Sequence, residues 1–124
     1  MKNKVRGIFL ATIGLLILSV PALAHHGAAA FDTDHPITMK ATVTTWFWAN
    51  PHCFVKFDYK NEKGELQHWV VETSNPPDMM NKGWSDHTLK EGMEITVTVS
   101  PSRNGRTVGR LITVVLPDGQ TLRN

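Results

Sequence analysis

Beyond residue 36 the apolar and polar residues fall into alternating runs. From Ile37 to Trp48, Met39, Ala41, Val43 and Phe47 alternate against Thr42, Thr44 and Trp46, the period-two pattern of a half-buried strand. Asn50-Pro51 interrupts the pattern, because proline lacks the donor that a central ladder needs. A second strand from His52 to Lys60 sets Cys53, Val55, Phe57 and Tyr59 on one face and His52, Phe54, Lys56 and Asp58 on the other. The first face belongs to the core. Asn61-Glu62-Lys63-Gly64 then leads into a third strand, Glu65 to Ser74, and the position of its glycine suits a three-residue hairpin with a bulge. That turn sets Val55 opposite Val71, Phe57 opposite Trp69 and Asp58 opposite His68. Without the bulge, Phe57 would face His68 and Cys53 would face Glu72. The bulged register keeps apolar residues together.

Ser74-Asn75-Pro76-Pro77-Asp78 offers capping side chains followed by prolines in a first turn, and Gly83 supplies a stop. These signals predict a short helix from Pro76 to Lys82. A turn from Ser85 to Leu89 precedes a fourth strand with Met93, Ile95, Val97 and Val99 inward. A fifth strand runs from Thr107 to Leu116, and Pro117-Asp118-Gly119 turns into a short return strand, Gln120 to Leu122. Three strands, a helix and two strands fit an all-β protein with one short helix, the five-stranded Greek-key barrel of the OB-fold. Closing the barrel removes exposed edges. A small open β-sandwich is the alternative.

The start of the chain changes the picture of where the protein works. Lys2, Lys4 and Arg6 precede an apolar stretch from Gly7 to Val20 and then Pro21-Ala22-Leu23-Ala24, the layout of a cleaved export signal. At 14 residues this stretch is shorter than the roughly 20 that span a bilayer, so no stable membrane anchor is expected after cleavage. The expected organisation is a signal peptide at 1–24, an arm without strand or helix pattern at 25–36, and a barrel domain at 37–124, in a periplasmic protein. Cleavage leaves ten Lys and Arg against 11 Asp and Glu, one net negative charge. Such a surface lacks the clustered positive charge that phosphates require, so nucleic acid is excluded as a partner. The single cysteine, Cys53, forms no internal disulfide. It alternates with core residues and reads as a buried, inert thiol.

Cleavage also exposes an α-amino group on His25, next to His26. An amine and imidazoles suit Cu(II), Ni(II) or Zn(II), and the divalent series favours copper. His52 and Glu72 stand on the outer face of the second and third strands as diagonal neighbours, with His52 opposite Ser74, and are candidates for further ligands. The plain reading makes His52 a hydrogen-bond donor at a turn and Glu72 a surface residue. Asp32, Asp34 and His35 read as turn chemistry, Met79 and Met80 as packing residues, and His68 and His87 as surface residues. Trp46, Trp48, Trp69 and Trp84 line a pocket or fill the core. There is no nucleophile motif, glycine-rich phosphate loop or Cys-x-x-Cys pair, so catalysis is not indicated.

Ala24-His25-His26, Phe31-Asp32, Trp48-Ala49-Asn50-Pro51-His52, Trp69 with Glu72, Gly83-Trp84, Leu89-Lys90-Glu91-Gly92 and Leu116-Pro117-Asp118-Gly119 together resemble a family of small exported bacterial proteins, the domain-of-unknown-function family 6152. The resemblance covers nearly all of the mature chain and implies export and a small β-barrel, without an activity. Gly27 stands where that family would lead one to expect a serine, and Cys53 where it would lead one to expect an apolar residue. The expected fold is also similar to that of small periplasmic copper and silver carriers, an analogy of fold alone. The leading expectation is a periplasmic metal-binding protein, for copper first, with His25, His26, His52 and Glu72 as ligands. The rival is a non-catalytic interaction module whose face of Trp46, Trp48 and Phe54 holds a periplasmic protein partner or a small ligand. An enzyme using His52 and Glu72 as base and acid comes third.

Overall fold

The computed structural model describes Gly27 and residues 29–124. The chain runs β1 (Ile37–Phe47), β2 (Phe54–Lys60), β3 (Leu66–Glu72), α1 (Pro76–Asn81), β4 (Glu94–Pro101), β5 (Val108–Val115) and β6 (Thr121–Arg123). The strands lie in the order β3-β2-β1-β4-β5-β6, and β3 also pairs with β5. That second pairing closes a five-stranded barrel, as the order of elements predicts. The return strand β6 lies against the last residues of β5, with Val114 opposite Leu122.

Two features of the sequence make closure possible. β1 is long enough to serve two neighbours: Ile37 to Thr42 pair with β4 and Ala41 to Phe47 with β2. At the other seam β5 carries Gly109, opposite Val71 of β3 and Pro101 of β4. A Cβ there would sit 2.9 Å from the Ser100 carbonyl oxygen and 3.4 Å from Val99. Glycine is what lets β5 run this close to β4 while also meeting β3.

The β2–β3 register is the bulged one. Val55 faces Val71, Phe57 faces Trp69 and Asp58 faces His68. Gly64 adopts a φ of 79°, donates to the Asn61 carbonyl at 2.9 Å, and Asn61 in turn donates to Glu65 at 3.0 Å. Phe57 and Trp69 stack with ring centroids 6.3 Å apart, and both are buried. Helix α1 starts at Asn75, whose side chain accepts from the Asp78 amide, and it carries Met79 fully into the core. Met80, one residue on, is exposed, so only one of the two methionines packs.

In β1 the alternation expectation needs correction. Met39, Ala41 and Val43 point inward, but the register shifts between Val43 and Thr45. The extra residue inverts the pleat beyond it. Phe47, placed with the core residues by simple alternation, is 57% exposed, while Trp46 packs against the core and donates from its indole to the Ser85 carbonyl at 3.0 Å. The arm also carries more order than its sequence suggests. Gly27 and Ala29 have helical backbone, in a run of alanines, the best helix formers. Phe31 bridges Ser102, and the Asp32 amide donates to the Pro101 carbonyl at 2.8 Å.

Candidate functional site

His52 sits where the β2–β3 ladder slips. Cys53 donates its amide to the Ser74 carbonyl at 3.1 Å, while its own carbonyl accepts from the Thr73 amide at 2.9 Å. In an unbroken ladder the Thr73 carbonyl would take the Cys53 donor. The slip leaves that carbonyl on a fully buried residue in need of another partner. The His52 ring supplies it, with Nδ1 2.9 Å from the Thr73 oxygen. This replaces the direct His52–Ser74 pairing expected from an unslipped register. The Thr73 hydroxyl bonds to the Cys53 and Ser74 carbonyls at 3.2 and 3.1 Å, so the buried threonine is fully partnered.

The bond to Thr73 also fixes the chemistry of His52. A carbonyl only accepts, so Nδ1 carries the proton. In the neutral ring the lone pair then belongs to Nε2, on the opposite edge of a half-buried side chain. A histidine whose second nitrogen is held by a backbone carbonyl is in the state that metal ligands commonly adopt. Hydrogen bonding at a turn and readiness to coordinate are therefore both properties of this one contact.

Glu72 ends β3, with Phe54 of β2 on one side and Arg110 of β5 on the other. Its carboxylate lies 4.0 Å from the Arg110 guanidinium, a partly exposed pair of the kind that contributes little to stability. No hydrogen bond joins Glu72 to His52 among the described residues. Across the outer surface of the barrel, Phe47, Phe54, Glu72 and Arg110 form one row of directly paired residues. Arg110 escaped the sequence reading, although its place between inward Gly109 and Leu111 marks it as outward.

The other candidates separate. His25 and His26 lie outside the described residues. Asp32 accepts the Asp34 amide at 3.2 Å and the His35 ring at 3.0 Å, the turn chemistry expected of that stretch. Hydrogen bonding from His35 holds the Asp32 carboxyl below the usual range, with Arg103 adding to the effect from 3.7 Å. His68 bonds Asp58 across the strands, and His87 lies near Asp86; both histidines are exposed. Trp69 and Trp84 are buried, and Trp46 links Trp84 to Trp48 through centroid distances of 5.7 and 5.6 Å. Cys53 is fully buried, as expected. Among the described residues no group of three or more His, Cys, Asp and Glu side chains is gathered at metal-binding distance.

Neither a curated protein nor a solved structure matches the chain. A family model does: it spans residues 13–111, from the leading segment through β1 to β4 and into β5. The chain belongs to that family, the family of unknown function DUF6152.

Proposed function

We propose that the protein is exported, loses residues 1–24, and binds a metal ion in the periplasm, copper before other divalent ions. The ligands are the His25 amine and imidazole, the His26 imidazole and Nε2 of His52, with Glu72 available to complete the shell. The observation that carries this reading is the His52 Nδ1 contact to Thr73, which presents the second ring nitrogen as a ready-made donor on a rigid barrel. Metal binding has an ordering cost. Anchoring of Phe31 and Asp32 on the β4–β5 end leaves five residue steps from His26 to Phe31, about 17 Å when extended at roughly 3.3 Å per residue. Fixing them in a new conformation costs at most about 1 to 2 kcal/mol per residue, against a metal contribution on the order of 10 kcal/mol.

Titration calorimetry with Cu(II) on three forms tests the site: the processed chain, the same chain with one residue before His25, and His52→Ala. The two altered forms are expected to bind at least roughly tenfold more weakly, about 1.4 kcal/mol. Equal affinity in all three defeats the proposal. The second reading, an interaction module, loses Trp46 and Trp48 of its expected face to packing against the core; Phe54 remains, beside its 57% exposed cross-strand partner Phe47, and the reading predicts a partner whose capture is lost on Phe47→Ser.

A further inference from the structure

The β4–β5 turn contains Asn104-Gly105, the one Asn-Gly pair in the chain, and its geometry does more than reverse direction. Asn104 is exposed, and its side-chain oxygen accepts from the Ser102 hydroxyl at 2.6 Å and from the Arg106 amide at 3.1 Å. Both donors polarise the amide carbonyl and stabilise negative charge developing on its oxygen. Gly105 follows with a φ of 77°, and no atom lies within 4 Å of where a Cβ would stand. No side chain on the following residue crowds the approach, and the Gly105 nitrogen is engaged by a long 3.3 Å bond to the Ser102 carbonyl. Arg103 and Arg106 flank the pair and favour an anionic intermediate.

We infer that Asn104 is a site of spontaneous deamidation, and that the product loosens the attachment of the Phe31–Asp32 segment. The Gly105 nitrogen, losing its proton to water or base, forms a bond to Cγ of Asn104. The Cγ–N bond to the side-chain nitrogen breaks and ammonia leaves, giving a succinimide. Water then opens either carbonyl of that ring, yielding aspartate or isoaspartate, with no oxidant or cofactor needed. The new carboxylate lies next to Arg103, which pairs with Asp32 at 3.7 Å, and so competes with Asp32 for it. Isoaspartate also lengthens the backbone by one carbon in the turn that directly follows Ser102, the bridge partner of Phe31.

Asn61 is the internal comparison. Its side-chain oxygen also accepts two hydrogen bonds, both from backbone amides, Lys63 at 3.0 Å and Glu65 at 2.9 Å, but Glu62 follows it instead of glycine. Incubating the full folded chain in mildly alkaline buffer, then mapping peptides by mass and labelling isoaspartate enzymatically, reads both sites at once. Asn104 is expected to convert at least roughly tenfold faster than Asn61, because a side chain on the following residue obstructs ring closure. Ser102→Ala is expected to slow Asn104 severalfold while the fold, checked by its melting curve, is kept. Conversion of Asn104 no faster than of Asn61 overturns the site. Hydrogen exchange at the Asp32 amide tests the consequence: faster exchange in the deamidated fraction supports it, and unchanged protection overturns it.

Discussion

Asp32 ties the approach segment to the barrel through its backbone and tunes it through its side chain. Its carboxyl is held below the ordinary value by hydrogen bonding from His35, and that of Asp78 by hydrogen bonding from Lys82, 2.8 Å away. A carboxyl depressed in the folded state adds stability above its unfolded value, and this is lost as pH falls through the lower folded value. Stability is therefore expected to decline on the acid side of the normal aspartate range. In an NMR titration, His35→Ala should move the Asp32 midpoint upward and leave Asp78 in place, while Lys82→Ala should do the reverse. Asn124 has a comparable role at the barrel seam. Its side chain accepts the Ser74 amide at 2.8 Å and donates to the Leu111 carbonyl at 3.1 Å, bridging β3 and β5 just past their last backbone pairing. Asn124→Ala removes both bonds at half-buried groups and is expected to cost about 1 to 3 kcal/mol in urea unfolding.

At the level of elements, the turn residues decide what the strands do. Gly64 was readable from sequence as the bulge that pairs Phe57 with Trp69, because only that register matched apolar faces. Asn75 and the two prolines were equally readable as a helix start, since capping depends on neighbours a few positions away. The bulge after Val43 was not readable: Thr44 and Thr45 carry no glycine or proline signal, and only the demands of a strand shared between β2 and β4 reveal it. The slip at Cys53 that frees the Thr73 carbonyl for His52 escaped notice for the same reason. Alternation did mark His52 as outward and Cys53 as inward, so the side of the barrel was legible and the hydrogen bond was not. Gly109 offers the sharpest test at this scale. Gly109→Ala forces a Cβ to within 2.9 Å of a backbone oxygen, which β4 cannot relieve without loosening the closing pair, and overpacking of this kind costs about 1 to 3 kcal/mol. A lowered melting temperature of Gly109→Ala against the unaltered chain checks it.

The proposed metal site makes a demand on the whole molecule that a local site would not. An amino-terminal His-His pair binding copper by itself does so equally well whether the barrel is folded or not. A ligand with equal affinity for both states shifts no unfolding equilibrium. His52 differs, because its orientation depends on the β2–β3 slip and on Thr73, both of which vanish on unfolding. A site that includes it binds the folded state better, and with the unfolded chain still binding through its terminal pair, the tenfold preference expected from His52→Ala stabilises the fold by about 1.4 kcal/mol at saturating copper. At about 4 to 8 °C per kcal/mol for a domain near 100 residues, the melting temperature of the processed chain should rise by roughly 6 to 11 °C on adding copper. His52→Ala should abolish the rise even while the amino-terminal pair still binds the metal. A processed protein that takes up copper yet melts at an unchanged temperature would show that the barrel takes no part, and the site would shrink to a terminal peptide.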